Sequence, residues 1–190
     1  MPQVINVLGN DPSLKNWGIA KGSLDLETNK LKIDGLFVVN PEVSTGKAVR
    51  QNSKDVEAAT GLFAHVHHFM KDAKLSFVEV PHGSQSSRAM AGYGICCGVI
   101  GSLSCQYAPP IQVNAAEVKL AATGNKEATK KEMIQWAMDK HPEAPWPMNT
   151  RKGVTSVNES KAEHMADAIA SIYAGMETAQ YKQFRNAVLG

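Results

Sequence analysis

A chain of 190 residues with 43% hydrophobic and 20% charged residues can bury one well-packed core, which excludes disorder over most of its length and suggests a single domain over residues 1–190. No apolar run approaches the roughly 18 residues of a membrane helix, and "MPQVINVLGND" has neither a basic start nor a small-residue cleavage site. No membrane partner and a cytoplasmic location are therefore expected. A net charge of +2 announces no polyanion by itself, and Cys96, Cys97 and Cys105 have no metal-ligand spacing, which fits reduced thiols.

Residues 3–9 are short and nearly continuously apolar, the pattern of a central strand. "WGIAKGSLDL" and "KLKIDGLFVVN" read as two further strands joined by "ETNK", a meander. Over residues 53–70, Val56, Ala59, Phe63, Val66 and Met70 recur at helical steps, with Asn52 or Ser53 as the expected N-cap. "LSFVEVP" is a fourth strand. Residues 84–106 are apolar and rich in small residues, predicting a helix that another backbone approaches closely at Gly92, Gly94 and Gly98, with a second subunit as one candidate. "PPIQVNAAEVKLAAT" gives a fifth strand and a loop, and residues 126–141 a helix stopped by Pro142. A long loop is expected over residues 142–158. A last helix then starts at Ser160, with Ser160 and Glu163 as a capping box, and runs towards Tyr181. This order predicts an α/β fold with a five-stranded mixed sheet flanked by helices.

Three acidic positions stand out. Asp11 closes the first strand, and Glu79 lies between valines in the fourth, where an unpartnered buried carboxylate costs several kcal/mol. Asp167 shares a helix stripe with His164 and Ser171, and Glu163 lies one step round from it. Each has a plain structural explanation: an Asp-Pro turn, an edge-strand residue, a solvated helix face. Together, oxygen donors and an imidazole from separate elements are what a divalent-metal site requires, and two Mg²⁺ or Mn²⁺ ions about 4 Å apart could activate water and stabilise a leaving 3′ oxygen. Lys119, Lys126, Lys130 and Lys131 against Glu127 form a local basic patch, which is either a solvated face or a phosphate-binding surface.

"GNDPS", "VEVPHGSQSSRA", "APPIQVNAAEVKLAATGNKEATKKEM" and "KAEHMADAIA" resemble, in that order, the four motif blocks of RuvC-type Holliday-junction resolvases, which belong to the RNase H-like superfamily. The resemblance implies an RNase H-like fold and makes Asp11, Glu79, His164 and Asp167 the catalytic and metal-binding set. It also implies a homodimer acting on four-way or branched DNA. Lys119 and Lys130 are similar to the family's pair of DNA-contacting lysines, and Lys126, Lys131, His82 and Arg88 complete the expected DNA-binding set.

Asn10 stands where an apolar residue is common, "PSLKN" replaces a glycine-rich turn, and Pro81 and His82 occupy a position where bacterial members often carry an aromatic. Variants of this kind look more like phage-encoded relatives. "STGKAVR" lacks the upstream glycine of a P-loop, "GYGICCG" lacks dinucleotide-fingerprint spacing, and "HVHH" at 65–68 has no matched carboxylate nearby. The alternatives are a flap or fork nuclease of looser choice, or a non-catalytic branched-DNA binder.

Overall fold

The computed structural model describes residues 3–190; Met1 and Pro2, the start of the expected domain, lie outside the described residues. Five strands form one mixed sheet: β1 (Val4–Asp11), β2 (Trp17–Asp25), β3 (Lys30–Val39), β4 (Leu75–Glu79) and β5 (Ile111–Val113), in spatial order β3-β2-β1-β4-β5. The meander β1-β2-β3 is antiparallel, whereas β4 joins β1, and β5 joins β4, in parallel.

Alternation along the strands decides what each face carries. On β1 and β4, Leu8 and Val78 face α1 (Gln51–Met70) and α2 (Ser87–Ser104), packing with Leu62, Val66, Cys96 and Leu103. Val7 and Phe77 face the other way, into a core shared with α5 (Glu159–Met176) through Ala166, Ile169 and Ile172. The helices α3 (Ala115–Thr123) and α4 (Lys130–Lys140) lie beside α5, and α6 (Ala179–Leu189) ends the chain. No helix among the described residues is long and apolar enough to cross a membrane.

The small residues of α5 let it lie directly on the sheet. A Cβ at Gly9 would overlap the Ala168 carbonyl oxygen, one at Gly18 the His164 carbonyl, and one at Gly175 the Phe77 ring. Glycine is needed at these points for proximity, whatever its dihedral angles.

Several local expectations change. The buried face of α1 is Ala58, Leu62, Val66 and Met70, while Val56 is 66% exposed, and the helix begins after Arg50 with no side-chain cap. Residues 115–123 are helical because Asn114 and Glu117 form a reciprocal capping box, and Gly124, at φ 73°, closes the helix. A second box, Thr129 with Glu132, delays α4 to Lys130. Within the expected loop 142–158, β6 (Met148–Arg151) and β7 (Val154–Val157) form a hairpin. Asn158, rather than Ser160, caps α5, and Thr178 caps α6, which splits the expected single C-terminal helix. On α2, Gly94 and Gly98 meet nothing within 4 Å, and Gly92 is in ordinary contact with Leu14, so the close approach expected there does not occur within this chain.

Candidate active site

Strand register sets two of the acids side by side. β1 and β4 run parallel with Asn10 opposite Val78, so the next residues, Asp11 and Glu79, end neighbouring strands at the same carboxyl edge of the sheet. Alternation turns both towards the α5 face, because Gly9 and Phe77, two residues earlier, already pack there. Asp11 is also paired with Gly18 of β2, over which the His164 backbone lies. His164 Nδ1 consequently sits 2.7 Å from Asp11 Oδ2, and Asp167 stands three residues further along the same helix.

Asp11, Glu79, His164 and Asp167 line one cleft of about 360 Å³ together with Glu163, His82, Pro12, Ser13, Pro81 and Tyr93. Ser171, expected on the polar stripe, is fully buried instead and donates to the Ala168 carbonyl oxygen at 2.8 Å. Asn10 explains its departure from an apolar type. Its buried carboxamide donates to the Phe77 carbonyl oxygen at 3.0 Å and accepts from the Trp17 indole N–H at 3.2 Å, locking β1 to β4 beside the acids.

Crowding of negative charge dominates the electrostatics. Burial, and then repulsion from Asp11, pushes the Glu79 carboxyl up to about 7, against a lowering pull from Lys119. Asp167 is driven well above its ordinary value by burial and by Asp11, Glu79 and Glu163. Burial raises Asp11 as well, although its hydrogen bond to His164 works against this, and that same bond raises the imidazole. An imidazole whose Nδ1–H donates to Asp11 keeps Nε2 available as a ligand or proton acceptor.

Among the described residues, no three His, Cys, Asp or Glu side chains converge into a closed ligand cage. The expected metal set is thus a lined cleft rather than a formed polyhedron. Its donor chemistry nonetheless fits a hard divalent cation: three carboxyl groups and one imidazole, with carboxyls whose raised pKa values report negative charge that a cation would compensate.

The expected DNA-binding residues divide into three groups. His82 lines the cleft. Lys119, half-buried on α3, lies near enough to influence Glu79 and Asp167, and Lys126 and Lys131 are exposed nearby in sequence. Lys130, at the first turn of α4, places Nζ 2.6 Å from Glu163 Oε1 at the rim of the cleft. Arg88 lies apart from these, holding both Asp55 oxygens at 2.6 Å and tying α2 to α1. The sequence offers Glu163 as a capping-box partner of Ser160 and as a residue that could join or replace His164, whereas its ion pair with Lys130 depends on α4 packing beside α5. Ser13 and Tyr93 join the cleft with no spacing signal in the sequence.

Comparison with solved structures finds the same fold in Thermus thermophilus RuvC, at 19% identity and a TM-score of 0.64 over 96% of this chain and 96% of that one. It also finds T. thermophilus RuvC in complex with Holliday junction substrate, at 16% identity and a TM-score of 0.63 over 90% and 92%. No protein-family model and no curated protein sequence matches the chain. At these identities the likeness establishes the fold, RNase H-like with a five-stranded mixed sheet between helices, as the sequence motifs imply.

Proposed function

We propose that this chain is a single-domain, homodimeric, metal-dependent endonuclease that resolves four-way DNA junctions and related branched DNA by paired symmetric nicks. The observation that carries the reading is the cleft: Asp11, Glu79, His164 and Asp167 come from three separate segments of the chain and meet at one end of the sheet, with charge crowding unsuited to a merely structural role. Further support comes from the shared fold of T. thermophilus RuvC, one structure of which is a complex with Holliday junction substrate.

Asp11, Glu79, Asp167 and His164 Nε2 would hold Mg²⁺ or Mn²⁺, two ions per site. Bound there, the ions supply positive charge for a nucleophilic water and for the departing 3′ oxygen. The chain's own groups do the positioning. Asp11 fixes the imidazole through Nδ1, so that Nε2 faces ligand or water in one orientation. Asn10 keeps the two strand-end carboxyls in register. His82, Lys119, Lys126, Lys130 and Lys131 offer positive charge or hydrogen bonds to phosphates entering the cleft, while Arg88, paired with Asp55, has only its remaining N–H groups to offer DNA.

Two symmetric nicks need two identical sites, which a two-fold dimer supplies. The outward face of α2 suits that contact, because Gly94, Gly98 and Gly101 carry open space above them and Met90 is exposed. A nuclease of this kind works on DNA in the cytoplasm.

The deciding experiment is a nicking assay on a four-way junction, a flap, a replication fork and a duplex, each with Mg²⁺, Mn²⁺ or EDTA. Metal-dependent paired nicks, fastest on the junction, are expected. Preference for the flap or fork would move the assignment to a looser branch nuclease, and binding without cleavage would leave a branched-DNA binder.

A further inference from the structure

The hairpin β6–β7, between α4 and the helix that carries His164 and Asp167, has no part in the function proposed above. From Ala144 to Asn158 the chain contains no acid, while Arg151 and Lys152 stand together at the hairpin tip. Every residue from Met148 to Ser156 is exposed.

The ladder pairs Met148 with Val157, Asn149 with Ser156, Thr150 with Thr155 and Arg151 with Val154. Paired residues share a face, and alternate pairs share it too. Val157 packs against the main core, so its face, with Met148, Thr150 and Thr155, turns towards the body at the root. The opposite face carries Arg151, Asn149 and Ser156 outward with a single apolar residue, Val154. That surface has cations and hydrogen-bond donors but no aromatic ring. It suits phosphate oxygens and offers no platform for stacking bases.

The turn itself strengthens the point. Lys152 takes φ 52° and Gly153 φ 78°, the left-handed pair of a two-residue hairpin turn, where Asn or Asp usually precedes Gly. The left-handed region disfavours a lysine relative to asparagine or glycine, so positive charge stands here against the local backbone preference.

The root is joined to the candidate catalytic helix. The Asn158 amide N–H donates to the Pro147 carbonyl oxygen at 2.7 Å, closing the hairpin, while its side chain accepts from Lys161 N at 3.3 Å as the α5 cap and donates to Asn149 Oδ1 at 3.5 Å. His164 lies five residues into that helix, about 8 Å along its axis, and four-residue strands reach about 13 Å from the root. The cationic tip therefore stays within roughly 20 Å of the cleft, a reach suited to DNA already bound there.

We infer that the β6–β7 hairpin is a backbone clamp, in which Arg151 and Lys152 grip phosphates of the duplex arm leaving the cleft. The clamp rests on the nuclease reading above and adds a second anchoring point outside the basic patch of α3 and α4.

The test compares the full-length protein with the Arg151→Gln/Lys152→Asn double variant, whose Asn fits the turn and preserves the fold. Binding to a four-way junction is titrated against KCl, with Ca²⁺ in place of Mg²⁺ to prevent cleavage. Loss of two phosphate contacts should weaken binding about tenfold near 0.15 M salt and make the log–log salt slope shallower by about 2, with an unchanged melting temperature. The Arg151→Lys variant should retain the slope. If the wild type binds the junction and the double variant keeps both affinity and slope, the clamp is refuted while the nuclease reading stands. A double variant that alters self-association in sedimentation with no change in slope would refute it too, marking the hairpin as a contact between copies. Failure of the wild type to bind or cut any branched DNA would remove the reading and the clamp with it.

Discussion

Glu79 ends a parallel strand with its carboxyl pushed up to about 7, so a large part of its negative charge is already suppressed when no cation is near. Glu79→Gln keeps the shape and deletes the charge. Nicking should fall at least a hundredfold while junction binding is retained or tightened, as read by cleavage and gel-shift assays on the same preparation. Glu163 should behave differently. Its pair with Lys130 is solvent-facing, with the lysine side chain 75% exposed, and such pairs contribute about 0.2–1 kcal/mol. Glu163→Gln frees the ammonium for phosphate, so junction affinity should rise up to about fivefold, and a double-mutant cycle with Lys130→Ala should show the gain disappearing. His164→Ala should lose most nicking, whereas Glu163→Ala should be the milder change; the reverse ranking would exchange their roles. Asp11 and Glu79 were legible in the sequence because a carboxylate in or at the end of an apolar strand is conspicuous, and Asp167 because it shares a helical stripe with His164. Asn10 and the Lys130–Glu163 pair were not, since each gets its meaning from a partner on a different element.

At the scale of elements, the five-stranded sheet was readable from apolar runs and turn residues and came out as expected between helices, although α3 and the break before α6 did not. The misreadings concern signals only a few residues long. "NAAE" is a capping box that begins α3, yet it follows so short a strand that a loop reading competes with it. Asn114→Ala should cost about 1 kcal/mol and lower the melting temperature by a few degrees. The proline-rich approach to β6 hides a hairpin in which every strand residue but Val157 is exposed, so that it lacks the alternation of a half-buried strand. For α2 the glycines were visible but their neighbour was not, because open space above Gly94 is a property of the surface. Gly94→Leu should leave the core intact and yield a monomer in sedimentation, provided that the dimer forms on this face; an unchanged dimer would move the interface elsewhere.

Across the whole molecule, the cleft couples stability to pH and to cations. In its folded state Glu79 holds a proton between its ordinary value of 4.5 and about 7, where the unfolded chain has released it. Stability from this group therefore falls as pH rises through that window. Asp11 and Asp167 are raised and act in the same direction, and the raised His164 contributes stability at low pH that is lost as pH climbs through its folded value. Carboxylates held low, such as Asp55 beside Arg88, oppose this only under more acidic conditions, as pH falls through their own folded values. In EDTA the protein should melt several degrees higher at pH 6 than at pH 8, and Glu79→Gln should flatten that difference. Mg²⁺ should restore the loss at pH 8, since a ligand at a hundred times its Kd adds about 2.7 kcal/mol. Equal melting curves with and without Mg²⁺ would argue against a cation site in the cleft.

The bare glycines under α5 also set how the molecule opens. With helix backbone resting directly on Gly9 and Gly18, and Gly175 seated against the Phe77 ring, little side-chain slack separates helix from sheet, so α5 and the central strands should open as one unit. Fluctuations that release the hairpin or α6 should therefore be frequent and local, whereas lifting the His164 backbone off Gly18 should require opening on a global scale. In hydrogen–deuterium exchange, the amides of β1, β4 and the middle of α5 should form the slowest class and share one opening free energy, equal to that of global unfolding. Gly9→Ala should lower that shared value for all three elements at once, and the hairpin amides, already fast, should exchange at their former rate.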